Sequence, residues 1–172
     1  MIKILGVPGS LRADSSSNLI LKVIASMIPK HVSFEIYDGI GSLPHFNDAK
    51  DVPDSVIYFR NKVKESDGVL ICTPEYAFGV PGSLKNALDW TVGSGEFFDK
   101  PVSLVTASSQ GEKGHAALLL ILEAISAKVI NNGTLLIPSV RAKLDPSGNV
   151  KDQATITNLH KVIEALVQII DK

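Results

Sequence analysis

Three loops of this chain carry residues whose types and spacing suit ligand chemistry. The first, Ser10-Leu11-Arg12-Ala13-Asp14-Ser15-Ser16-Ser17-Asn18, offers the hydroxyls of Ser10, Ser15, Ser16 and Ser17, the planar donor fork of Arg12, and the free amides of a helix starting near Ser17. That set suits a terminal phosphate monoester, which needs several donors in a concave array with positive charge close by. Ordinary turn and cap roles for the serines, with Arg12 a solvated charge, fit the same residues equally well. Asp14 would repel a phosphate and has to face solvent if one binds. The spacing is neither the Gly-x-x-x-x-Gly-Lys-Ser/Thr of a P-loop nor the Gly-x-Gly-x-x-Gly of a dinucleotide fingerprint.

The second loop runs from Thr73 through Pro74-Glu75-Tyr76-Ala77-Phe78-Gly79-Val80-Pro81 into a helix that Ser83 is placed to cap. A ring system lying on Pro74–Gly79 would meet backbone donors and acceptors. Tyr76 and Phe78 could wall it, Gly79 and Gly82 let the main chain approach, and Pro74 and Pro81 stiffen the loop. Glu75 and Tyr76 have no histidine, second carboxylate or cysteine beside them in the sequence, so no catalytic side chain is assigned. Lys85, Asn86 and Asp89 on the helix are expected to pack, cap or contact a subunit, and Trp90 to anchor a core or an interface. The third loop, Ala107-Ser108-Ser109-Gln110-Gly111-Glu112-Lys113-Gly114, is again polar and glycine-rich, with Lys113 and His115 expected to be solvated.

The elements that must position these loops alternate. Ile2–Val7 is an apolar run closed by Pro8-Gly9, and Leu19, Ile20, Val23, Ile24, Met27 and Ile28 then recur at helical spacing until Pro29. Val32–Tyr37 alternates as a half-exposed strand, and Asp38–Asp51 is a turn-rich surface excursion. Pro53 opens a helix to about Ser66, Gly68–Cys72 is a buried strand, and Pro101–Thr106 is a fourth strand. A fourth helix begins near His115. Lys128–Ile137 is β-rich but broken by Asn131-Asn132-Gly133, which allows a hairpin turn or a single kinked strand, the kink being preferred. Ile156, Leu159, Ile163, Leu166 and Ile170 give the last helix one apolar stripe. Strands alternating with helices in this way predict a doubly wound three-layer α/β fold, with the loops after the first, third and fourth strands opening on one carboxyl edge.

The 172 residues fit a single domain over 1–172, and 45% hydrophobic residues supply its core. Seventeen basic against 18 acidic residues leave a net charge of −1, with no footprint for nucleic acid or an anionic membrane. The lone Cys72 reads as a core residue and excludes a disulfide framework or a multi-thiolate metal site within one chain, so no metal is expected. The apolar start at Met1–Leu5 is too short for a signal peptide and no uncharged run is long enough for a membrane span, so a cytoplasmic location is expected.

Gly9-Ser10-Leu11-Arg12-x-x-Ser15, together with Pro74-Glu75-Tyr76 and Pro81-Gly82-x-Leu84-Lys85-Asn86-Ala87-Leu88-Asp89-Trp90, closely resembles the NADPH-dependent FMN reductases, a flavodoxin-like group that includes bacterial quinone, chromate and azo-dye reductases. The resemblance implies a flavodoxin-like α/β/α sandwich with a five-stranded parallel sheet of order 2-1-3-4-5. It implies FMN, held by its phosphate at Ser10, Arg12, Ser15, Ser17 and Asn18. The isoalloxazine ring would lie on Pro74, Glu75, Tyr76, Ala77, Phe78 and Gly79, approached by Ser108 and Gly111. It further implies NADPH or NADH as donor, a quinone-like or other small acceptor, ping-pong turnover, and a homodimer or homotetramer. Pro8, Ser17 and Ala77 depart from the residues common at these places in the family. A flavodoxin-like electron carrier serving a protein partner is the alternative; such carriers are typically acidic, and the near-balanced charge here argues against one.

Overall fold

A computed structural model describes residues 1–48 and 50–172 of the chain; Ala49, within the turn-rich excursion, lies outside the described residues. Five strands are laid down in chain order: β1 (Ile2–Pro8), β2 (Val32–Ile36), β3 (Gly68–Thr73), β4 (Pro101–Ala107) and β5 (Lys128–Ile137). All neighbours pair in parallel, in the order β2-β1-β3-β4-β5. The sequence dictates which strand goes where. Every residue of β3 is buried, as a near-continuous apolar strand must be when helices cover both faces, whereas β2 exposes Ser33, Glu35 and Ile36 at the sheet edge.

Helices α1 (Ser16–Met27), α2 (Asp54–Glu65), α3 (Gly82–Asp89), α4 (Glu112–Ala124), α5 (Val140–Lys143) and α6 (Gln153–Ile170) complete the fold, with one 3-10 turn at Ile40–Ser42. Two apolar cores divide them. Val56, Phe59 and Val63 of α2, Leu84 and Leu88 of α3, and Leu118 and Leu122 of α4 pack on Leu5, Val7, Val69, Ile71 and Leu104 of the sheet. On the opposite face Ile20, Leu21 and Ile24 of α1 and Leu159, Val162, Ile163 and Leu166 of α6 pack on Ile4, Leu70, Cys72 and Val105. Alternate strand residues feed opposite cores, the period-two geometry of a sheet between two helix layers.

Local chemistry shifts several boundaries from the sequence reading. The cap falls two residues before Ser83: α3 starts at Gly82, after Pro81, whose fixed φ of −52° sets the turn and whose carbonyl accepts the Lys85 amide at 2.9 Å. Pro53 precedes α2 as its extended N-cap instead of lying inside the first turn. The fourth helix begins at Glu112, three residues before His115, because Gly111 at φ +105° turns the chain directly into it. Asn131-Asn132-Gly133 does form the kink in one strand. The register steps from Val102↔Val129 to Leu104↔Thr134, so Ser103 faces four residues of β5, and Asn132 takes up the bend at φ +63°. The helix α5 and the antiparallel bridge Leu144↔Val150 after it were not read from the sequence.

Candidate functional site

The loop after β1 is built around α1. Ser15 caps the helix, its Oγ accepting the Asn18 amide at 3.2 Å, which leaves the amides of Ser16 and Ser17 without acceptors inside the helix. Asn18 clasps the loop from within: its Nδ2 donates to the carbonyls of Arg12 at 2.7 Å and Ser10 at 3.1 Å. Ser10, Ser15 and Ser17 are buried, and the last two share a hydroxyl bond of 3.2 Å. Arg12 and Asp14 are exposed at the loop's rim and lie 3.4 Å apart as an ion pair, which sets the aspartate's charge against the guanidinium. Beneath the loop the thiol of Cys72 is fully buried, donates to the Ser17 carbonyl at 3.1 Å, and has its pKa driven up by burial, which makes it a core residue and not a nucleophile.

The loop after β3 ends in a tight turn. Tyr76 and Gly79 exchange two backbone bonds of 3.0 and 2.9 Å, with Ala77 at φ +48° and Phe78 at φ +59° between them. Two positive φ values make this a type I′ turn, a geometry favoured by Asn-Gly. Occupying it with alanine and phenylalanine stores strain of about 1 to 2 kcal/mol per residue. Ala77→Asn is therefore expected to stabilise the protein by about 0.5–1 kcal/mol, read as a rise of about 2 °C in thermal midpoint; an unchanged or lower midpoint would refute the strain argument.

Three contacts fix this turn. The Glu75 carboxylate accepts the Gly114 amide of α4 at 2.7 Å, the Tyr76 hydroxyl reaches Ser10 Oγ at 3.3 Å, and Lys113 holds its ammonium 4.2 Å from the centre of the exposed Phe78 ring. Glu75 thus ties the second loop to the third. Gly114 makes the approach possible, since a Cβ there would lie 3.0 Å from Glu75 Cγ and 3.1 Å from the Gly79 carbonyl oxygen. His115, half-buried, bonds Thr106 through Nδ1 at 2.8 Å, and burial lowers its pKa, so its ring is neutral at pH 7.

These loops meet in one cleft of about 780 Å³, within the range of small-ligand sites. Of the residues singled out in the sequence, Arg12, Ser15, Ser17, Pro74, Glu75, Tyr76 and Ser108 line it. Ser10 sits behind, joined through Tyr76, and Asn18 acts through the loop backbone. Ala77, Phe78 and Gly79 form the adjoining turn, and Gly111 is the left-handed cap of α4, so neither group lines the cleft itself. Lys85 pairs with Asp89 at 2.6 Å along α3, and Asn86 donates to the Pro44 carbonyl at 3.0 Å, which gives all three the packing roles their helix suggested.

A fourth wall escaped the sequence reading. It comprises Ser139–Ala142, Leu144, Asp145, Pro146 and Gly148, the segment that leaves β5. The amides of Ser139 and Val140 donate to the carbonyls of Ser109 and Ser108 at 3.0 and 3.1 Å, docking it on the third loop. The available signal was positional: β5 is parallel to β4, so its exit must open on the same edge.

A hydroxyl and guanidinium cradle beside a proline-stiffened loop, at the carboxyl edge of a 2-1-3-4-5 parallel sheet, defines the flavodoxin-like class of protein. Residues 2–142 match the model of the NADPH-dependent FMN reductase family, and the chain belongs to that family of oxidoreductases. A 2-hydroxy-1,4-benzoquinone reductase from Burkholderia sp is 33% identical over 163 residues, 90% of this chain and 88% of that protein. An NAD(P)H-dependent FMN reductase from Pseudomonas aeruginosa is 31% identical, covering 96% of this chain and 93% of its own length. Among solved structures, FerB from Paracoccus denitrificans, a flavoenzyme NAD(P)H:(acceptor) oxidoreductase, superposes with a TM-score of 0.88 at 28% identity over 99% of this chain and 98% of that one. No helix among the described residues is long and apolar enough to cross a membrane.

Proposed function

We propose that residues 1–172 act as one FMN-binding unit that takes electrons from NADPH or NADH and passes them to a quinone-like or other small acceptor in two successive half-reactions at one site. The observation that carries this reading is the convergence of the loops after β1, β3 and β4 on a single cleft. The donor set fits FMN: buried hydroxyls at Ser15 and Ser17, the free amides of Ser16 and Ser17 at the positive end of α1, and Arg12 at the rim suit a phosphate.

When bound, FMN supplies the hydride and electron chemistry. The chain holds and orients it. Ser10, Arg12, Ser15, Ser17 and Asn18 would form and brace the phosphate end, while Pro74, Glu75 and Tyr76, backed by the Ala77–Gly79 turn and held against α4 by Glu75, would present main-chain groups to the ring. Ser108 on the third loop would stand at the ring's edge, with Gly111 behind it setting the turn into α4. No side chain is required to move a proton, so none is named catalytic, and two substrates that share one face in turn give ping-pong kinetics. The exposed Phe78, Val92 and Phe98 supply apolar surface for association into a dimer or tetramer.

The test is a visible spectrum of the protein after loading with FMN and removing free flavin, followed by anaerobic NADPH and then NADH. A retained band that either nucleotide bleaches is expected, with reoxidation on adding a quinone. A retained band bleached by neither nucleotide would favour the electron carrier. Arg12→Ala is expected to weaken FMN retention about tenfold or more with the fold intact, the loss of one charge-assisted contact; unchanged affinity would remove Arg12 from the cradle.

A further inference from the structure

Five charged residues line the cleft: Arg12, Asp14, Glu75, Arg141 and Asp145. Four are already engaged. Arg12 and Asp14 pair with each other, Glu75 accepts the Gly114 amide, and Asp145 Oδ1 accepts the amides of Ser147 at 2.8 Å and Asn149 at 2.9 Å. The guanidinium of Arg141, exposed on α5, has no hydrogen-bond or ion-pair partner among the described residues. The Arg12–Asp14 pair sums to zero, so the first loop has no net charge to set against a phosphate monoester that carries about −1.5 to −2 at pH 7. The segment bearing Arg141 is fastened at both ends to the cradle's surroundings. Val140 is buried and bonds Ser108, and Gly148 packs so close to Leu19 of α1 that a Cβ there would lie 2.9 Å from Leu19 Cδ2.

We infer that Arg141 is the second cation of the phosphate site, and that this residue makes the cleft select FMN over riboflavin. The inference rests on the FMN reading above and extends it to a residue on the fourth wall. The Arg12 charge is offset by Asp14 beside it, whereas a guanidinium with no side-chain partner adds a further strong contact to the charged ligand only.

The experiment is a pair of titrations, FMN and riboflavin, followed by flavin fluorescence with wild-type protein, Arg141→Gln and Arg141→Lys. In Arg141→Gln, FMN affinity is expected to fall about 10- to 100-fold while riboflavin affinity stays the same, the loss of one charge-assisted contact. Arg141→Lys, which keeps the charge but not the fork, is expected to lie between the two. FMN affinity unchanged in Arg141→Gln would overturn the assignment, including the case in which only the KM for NADPH rises. Equal weakening of both flavins would also overturn it, by assigning Arg141 to the shape of the wall. Wild-type protein that binds neither flavin would instead overturn the FMN reading itself.

Discussion

Gly9→Ala is expected to remove about 4 kcal/mol or more of folding stability, beyond the usual range for overpacking. A Cβ at this position would lie 2.1 Å from Thr73 Oγ1, 2.4 Å from Thr73 Cβ and 2.7 Å from Thr73 Cα. The last of these is main chain and cannot swing away. Nor can Gly9 retreat, because its amide donates to the Cys72 carbonyl at 2.8 Å and Pro8 is in register with Cys72 across the central strands. A domain of ordinary stability has about 5–15 kcal/mol in total, so the variant should unfold at much lower urea than the wild type and lose flavin with its fold. Adding Thr73→Ala tests the geometry. It removes the hydroxyl and the γ-methyl but leaves Thr73 Cβ and Cα in the way, so the double variant should recover a small part of the loss. Full recovery would show that the Thr73 side chain beyond Cβ was the obstacle, and a Gly9→Ala protein as stable as wild type would refute the close approach of the two strand ends.

Trp90→Ala is the second large effect, expected to cost about 3–5 kcal/mol. The side chain is 1% exposed, just beyond α3, and serves three partners. Its Nε1 donates to the Pro44 carbonyl at 2.8 Å, its ring meets Phe46 edge-on at 5.1 Å, and the Arg60 guanidinium, whose Nε also donates to the Trp90 main-chain carbonyl at 2.8 Å, stands 6.0 Å from the ring centroid. The excursion after β2 is thereby fastened to α3, with Asn86 helping through Pro44 and through the Phe46 amide at 2.8 Å. Trp90→Phe keeps an aromatic ring but gives up some volume and one hydrogen bond, so it should cost less than Trp90→Ala, roughly 1–3 kcal/mol. Trp90 is the chain's single tryptophan, so unfolding must be followed by far-UV circular dichroism. Because Trp90 does not line the cleft, Trp90→Phe should still retain FMN under native conditions; loss of flavin without loss of stability would place this residue in the site after all.

Both residues show where reading the chain works and where it stops. Apolar runs, helical stripes and Gly-Pro punctuation depend on neighbours within a few residues, and they placed all five strands and the long helices. The same local logic located the loops after β1, β3 and β4, since parallel strands must release their chemistry at one edge. It could not find α5, four residues long and held by bonds to Ser108 and Ser109, nor the bridge of Leu144 to Val150. Those elements have too few residues for a period and owe their form to surfaces far away in sequence.

What the sequence by itself determined is the doubly wound topology, the polar cradle at Ser10–Asn18 and the resemblance carried by Pro74–Trp90, because each is written in adjacent residues. Only the tertiary structure decided what those residues touch. It gave the Glu75 carboxylate to the Gly114 amide, 39 residues away, set Asp14 against Arg12 at the rim, made Gly9 obligatory through Thr73, and brought Arg141 to the cleft as its unpaired cation among the described residues. Partners of this kind are chosen when the sheet closes and the strand exits come together, and no spacing along the chain records that event.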